Sequence, residues 1–157
     1  MLVESVHMKK LRIYIDTSVV GGCHDEEFQD ESRKLMDMAR RGDILLLVSG
    51  VLFDELSKAP KHVQEVLNEL PLEVLENLSL SEEAEALQLA YMKARVVEPL
   101  HGNDAMHVAL ATVAKADMIV SWNFRHIVHF DKIRGFNAVN LREGYLPIEI
   151  RSPKEVV

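Results

Sequence analysis

Three short runs, Ile13-Tyr14-Ile15, Ile44 to Val48 and Met118-Ile119-Val120, are apolar throughout, with no polar residue at every second position. A strand with one face in water alternates between apolar and polar residues, whereas a strand buried on both faces does not. Between these runs lie stretches with helical spacing. Strand and helix in alternation predict an α/β fold, a three-layer α/β/α sandwich around a parallel central sheet of four to five strands.

The strands are expected at Arg12–Ile15, Ile44–Val48, Leu72–Leu75, Met118–Val120 and Ala138–Asn140. A helix from about Glu26 to Arg41 places Phe28, Leu35, Met36 and Ala39 on one face, with Gly42 as its C-cap. Ser49 is read as the cap of a helix reaching about Lys58, and Pro60 as the first turn of another. Ser81, followed by Glu83 and Glu85, starts a helix to about Ala94. Pro99 marks a loop over Val96–Leu100. Asn103–Lys115 is a helix of small and apolar residues, and Phe124–Val128 a short helical turn. From Pro147 no element is assigned. Residues 8–150 are read as a single domain, 1–7 as a leader or expression scar, and 151–157 as a tail.

At 157 residues the chain fits one domain able to bury a core. Its longest strongly apolar stretch, Ile44 to Val48, is far below the ~20 residues of a membrane span, so no membrane partner is expected. The single cysteine, Cys23, excludes an intrachain disulfide and suits a reducing, cytoplasmic setting. The net charge of −7 runs against the basic footprint of most nucleic-acid binders. Acids gathered to hold cations escape that objection, because a bound metal reverses the local field.

In parallel α/β sheets, ligands bind at the carboxyl ends of the strands, where the strand order reverses. Asp16 directly follows the first strand, with Thr17 and Ser18 behind it. A helix N-cap is the alternative role for Asp16. Glu55 lies one to two turns into the helix after the second strand, beside the apolar stripe Val51, Leu52 and Leu56; a solvated edge position is its alternative. Asp104 opens a helix that is apolar almost all round, where an acid also suits the helix dipole. Asn123 follows the fourth strand in Ser121-Trp122-Asn123, and a turn role is its alternative. Taken together, three carboxylates and an amide fall at the binding edge. Carboxylates converging without basic partners repel one another, and a divalent cation removes that repulsion. All-oxygen ligation selects Mg²⁺ or Mn²⁺, ions that promote phosphodiester cleavage by activating water and stabilising developing charge.

The order and spacing of these parts resemble a known family. Ile13-Tyr14-Ile15-Asp16-Thr17-Ser18 resembles the opening strand and first acid of PIN domains, and Val51-Leu52-Phe53-Asp54-Glu55-Leu56 the segment with the family's glutamate. The block from Asn103-Asp104-Ala105-Met106-His107 through Ser121-Trp122-Asn123-Phe124-Arg125-His126 resembles the third acid on its helix, then the fourth strand and fourth position. The resemblance spans about Arg12 to Asn140. It implies a Mg²⁺- or Mn²⁺-dependent endoribonuclease similar to VapC-type toxins of type II toxin–antitoxin pairs, with an RNA substrate, a cognate antitoxin and a homodimeric state. It assigns Asp16, Glu55, Asp104 and Asn123 to catalysis and metal binding, and Thr17, Ser18, Ser121, Arg125 and His126 to substrate contacts. Many members carry Asp where this chain has Asn123, which brings no negative charge and puts a second metal site in question.

Other readings compete with this one. A non-catalytic binding or adaptor module with a degenerate metal site is compatible with Asn123 and the acidic balance. A zinc hydrolase using His107, His126 and His129 lacks an HExxH-type helix. A phosphate-accepting receiver domain needs adjacent acids after the first strand, and here Ile15 precedes Asp16.

Overall fold

The computed structural model describes residues 9–157; the expected leader or scar at 1–7 lies outside the described residues. Strand β1 (Leu11–Ile15) is the centre of a five-stranded, all-parallel sheet. It pairs on one side with β2 (Ile44–Ser49), Tyr14 beside Leu47, and on the other with β4 (Met118–Val120), Ile15 beside Val120. The edges are β3 (Leu75–Leu78) and β5 (Glu149–Arg151), which gives the order β3-β2-β1-β4-β5. The chain builds outward from β1 to β3, then crosses back to lay β4 on the other side. The order therefore reverses between β1 and β4, and a crevice opens beyond their carboxyl ends.

Successive residues of each strand feed opposite layers. Ile13, Ile15, Leu46, Val48 and Val120 pack with α1 (Thr17–Gly22), α2 (Gln29–Arg40), α3 (Gly50–Leu56) and α4 (Lys61–Gln64). Tyr14, Leu47, Ile119 and Ile150 pack with α5 (Glu82–Lys93), α6 (Gly102–Val113) and α7 (Phe130–Arg142). Both faces of the inner strands are buried, which is why their sequences do not alternate. Helix α6 is deeply buried in its layer: every residue from Ala105 to Thr112 is buried. It runs back toward β4, so its first turn, with Asp104, sits at the carboxyl edge of the sheet.

Several boundaries carry the chemistry read from the sequence. Ser49 Oγ accepts from Leu52 N at 3.3 Å and Ser81 Oγ from Ala84 N at 3.1 Å, each an N-cap. Gly42, at φ +80, ends α2 with its N–H on the Ala39 carbonyl at 2.9 Å. Phe124–Val128 forms the single helical turn expected there, with the Ile127 N–H on the Asn123 carbonyl at 3.1 Å. Several expectations are corrected. Pro60 precedes the helix it was expected to open. The third strand starts at Leu75, because Leu72–Val74 tightens into a 3₁₀ turn after Pro71. The strand expected at Ala138–Asn140 is part of α7, whose Phe136, Val139 and Asn140 turn inward at helical spacing. The last strand is instead Glu149–Arg151, with Ile150 buried between two exposed charges. The segment 151–157, expected as a tail, is packed: Ser152 and Pro153 are buried and Val156 rests on the core.

Helix α1 meets β4's trailing loop at Gly22. A Cβ there would lie 2.4 Å from Ser32 Oγ and 2.9 Å from Trp122 Nε1, two atoms that hydrogen-bond each other at 2.7 Å. Gly22→Ala is expected to destabilise the fold by about 1–3 kcal/mol. Urea unfolding followed through the fluorescence of Trp122 measures it.

Candidate active site

Asp16 leaves β1 at the reversal of strand order, on an extended backbone (φ −96, ψ −179). It occupies the N-cap position of α1, yet its side chain makes no cap hydrogen bond. Its oxygens instead take the Ser18 hydroxyl at 2.6 Å and the Ser121 hydroxyl at 2.7 Å. Each serine oxygen accepts a backbone N–H in turn, from Trp122 and Asn123 respectively. The loops after β1 and β4 are thus tied together through one carboxylate. Only 4% of Asp16 is exposed. Burial pushes its carboxyl above the usual aspartate range and repulsion from Asp104 adds to this, against lowering by His107 and the two hydroxyls.

Glu55, near the end of α3, accepts from Thr17 Oγ1 at 2.8 Å and from His107 Nε2 at 2.6 Å, both on Oε1. The other nitrogen of His107, Nδ1, lies 2.6 Å from the Tyr14 hydroxyl, which lies 2.7 Å from Ser49 Oγ. Ser49, Tyr14, His107 and Glu55 thus form one chain of hydrogen bonds in which each hydroxyl and each ring nitrogen has a partner. The relay runs from the cap of α3 through the centre of the sheet and back to the end of α3. Among the described residues no fully buried side-chain polar atom lacks a partner. Burial opposes ionisation of Glu55, but the hydrogen bond and charge of His107 and the Thr17 hydroxyl outweigh it. Its carboxyl falls below the usual range.

Asp104 differs from both. Among the described residues no hydrogen-bond donor reaches its carboxylate, and His101 Nδ1 stands 3.8 Å from Oδ2. Desolvation raises its carboxyl, as does Glu55, while His107, His126 and His101 pull the other way. It lines an open cleft of about 390 Å³ with Glu55, Gln88, His101 and Asn103. Clefts of about 410 and 420 Å³ lie beside Cys23 and His62 and beside Asp117 and Tyr145. Size does not distinguish the cleft at the acids; its chemistry does.

The remaining expected site residues divide into groups. Thr17, Ser18 and Ser121, read as substrate contacts, donate their hydroxyl protons to the acids and so orient them. Asn123, read as a metal ligand, has its Oδ1 on the N–H groups of Arg125 (3.2 Å) and His126 (2.9 Å), so the carbonyl oxygen is committed to the turn. Arg125 is exposed. His126 stacks on His101, ring centroids 3.6 Å apart. Its imidazole is held below its ordinary value, first by partial burial and then by repulsion from His101. His107, named from the sequence only as a candidate zinc ligand, is instead the buried hydrogen-bond partner of Glu55. The signal was its place three residues after Asp104, which sets both on one helix face.

Three carboxylates, Asp16, Glu55 and Asp104, are a donor set that suits a hard divalent cation, although among the described residues the only group of His, Cys, Asp or Glu whose ligand atoms all lie within 4.8 Å of one another is His101, Asp104 and His126. Burial raises both Asp16 and Asp104, with Asp104 adding to the rise of Asp16 and Glu55 to that of Asp104, and no lysine or arginine pairs with any of the three among the described residues. An ion bound among them would remove the repulsion.

A family model described as "PIN domain" matches residues 12–125. No curated protein sequence matches the chain. Among solved structures, FitAcB from Neisseria gonorrhoeae is similar with a TM-score of 0.57 at 16% identity, over 90% of this chain and 98% of that one. VapBC2 from Rickettsia felis, bound to a DNA fragment from its promoter, gives 0.54 at 14% identity, over 90% and 98%. VapC20 of Mycobacterium tuberculosis, a toxin cleaving the sarcin–ricin loop, gives 0.56 at 10% identity, over 87% and 98%. Identities this low establish a shared fold.

Proposed function

This chain belongs to the PIN-domain family, and from that premise we propose that it is a Mg²⁺- or Mn²⁺-dependent endoribonuclease, the toxin of a type II toxin–antitoxin pair. The observation that supports the reading is that Asp16 follows β1 at the reversal of strand order, close enough to Asp104 to be repelled by it as Asp104 is by Glu55, with no lysine or arginine bonded to the three among the described residues. A cation held there neutralises charge on a phosphodiester and lowers the pKa of water. The chain's own side chains prepare that site. Ser18 and Ser121 fix both oxygens of Asp16, His107 and Thr17 hold Glu55 ionised, and Asp104 presents an uncommitted carboxylate to the open cleft.

The toxin reading is supported by the sequence resemblance to VapC-type proteins and by similarity to toxin–antitoxin structures over nearly their whole length. It implies a cognate antitoxin, a homodimer and a cytoplasmic site of action. Among the described residues no helix is long and apolar enough to cross a membrane. A second reading, a non-catalytic adaptor, is favoured by one observation: the position expected to supply a fourth acid carries Asn123, whose oxygen closes a turn.

Incubation with structured and single-stranded RNA in Mg²⁺, Mn²⁺ or EDTA separates the two. The nuclease reading expects cleavage that needs the ion and is lost in Asp16→Asn. Absence of cleavage, together with melting temperatures that no divalent ion moves, would establish the adaptor reading instead.

A further inference from the structure

Beside the three acids the chain presents a second set of donors. His101 precedes the first turn of α6, Asp104 lies within that turn, and His126 belongs to the loop after β4. A nitrogen from each ring and an oxygen of Asp104 all lie within 4.8 Å of one another. Neither imidazole makes a side-chain hydrogen bond among the described residues, and nothing donates a hydrogen bond to the Asp104 carboxylate; its one close partner is His101 Nδ1, at 3.8 Å. All three residues are partly exposed. Two stacked rings and a carboxylate, drawn from two separate segments, thus bring uncommitted donor atoms close together. Asn123 contributes by accepting the His126 N–H, which shapes the turn that brings the ring to His101.

We propose that His101, Asp104 and His126 form a cation site selective for a first-row transition ion, Zn²⁺ being the probe of choice, alongside the carboxylate site. Two imidazoles and one carboxylate are a borderline donor set that favours such ions over Mg²⁺, and three protein ligands leave a position open. Ligands about 2.1 Å from a tetrahedral ion stand about 3.4 Å apart and aim their lone pairs at it, so closure on the ion takes side-chain rotations that turn the two rings out of their stack. Partly exposed rings allow them. Asp104 lies between the two sites and Asn123 shapes one of them, which gives this chain a nitrogen-rich site where a fourth acid is missing. The proposal rests on the reading of Asp104 as a cation ligand and not on RNA being the substrate.

Zn²⁺ titration of the full chain by calorimetry, with Co²⁺ visible absorption reporting nitrogen ligation, tests it on wild type, His101→Asn, His126→Asn and Asp16→Asn. The expected result is one Zn²⁺ bound in wild type and in Asp16→Asn, and affinity at least ~10–100-fold weaker in each histidine variant, with unchanged circular dichroism. Excess Mg²⁺ should not displace the Zn²⁺. Binding that survives both histidine substitutions and disappears in Asp16→Asn would overturn the proposal while leaving the carboxylate site intact. Absence of Zn²⁺ binding by the folded wild type would overturn it as well. Neither result depends on RNA cleavage, so failure of the nuclease reading is separately visible.

Discussion

Asp104→Asn is expected to abolish ion-dependent RNA cleavage, a loss of at least about a hundredfold, and at the same time to stabilise the ion-free protein at neutral pH. The two effects have one origin. The Asp104 carboxyl titrates above its ordinary value of 3.8 because the fold desolvates it and sets it near Glu55. In the folded chain the proton is therefore held more tightly than in the unfolded one. The penalty for ionising Asp104 is absent below the unfolded value, grows as pH rises through the window between the two values, and is complete above the folded value. Asp16 is raised in the same sense and Glu55 in the opposite one, so Glu55 contributes stability that is lost as pH falls through its folded value. Melting temperatures in EDTA should show the advantage of the variant over wild type widening as pH rises from 4 to 7. Mn²⁺ should raise the melting temperature of wild type more than that of the variant. A variant that is destabilised at every pH would contradict the assignment.

The largest loss of stability is expected for His107→Ala, about 3 kcal/mol. The ring is 1% exposed, so its removal leaves a cavity under α6. It also strips a partner from the Tyr14 hydroxyl and another from Glu55. Tyr14→Phe removes only the link between Ser49 and the ring and should lose about 1–2 kcal/mol. Chemical denaturation of the two variants compares them directly. If His107→Ala proves no worse than Tyr14→Phe, the imidazole is not the support of Glu55 that its geometry indicates.

What the sequence made legible follows from which signals are local. The inner strands announced themselves because burial on both faces leaves an unbroken apolar run, and the caps at Ser49 and Ser81 are local chemistry. The edges were harder. A three-residue run such as Ala138-Val139-Asn140 suits either period, and it is settled by Phe136 four residues before Asn140 on the same helix face. β5 has a single buried residue, Ile150, and so almost no pattern to read. At the site, the positions of Asp16 after a strand, Asp104 at a helix start and Glu55 within the helix after the second strand were readable, and the crossover sets the carboxyl ends of β1 and β4 side by side. Their partners were not, because the His107–Glu55 and Ser121–Asp16 contacts join residues 52 and 105 apart in sequence. The same is true of the His101–His126 pair, and the commitment of the Asn123 oxygen is visible only once its turn is formed.

The central claim is that a divalent cation sits among Asp16, Glu55 and Asp104. Anomalous diffraction from crystals grown with Mn²⁺ tests it most directly. A peak bounded by these three carboxylates, absent from crystals of Asp16→Asn, is the predicted result. Mn²⁺ confined to other surface carboxylates, with nothing among these three, would contradict it.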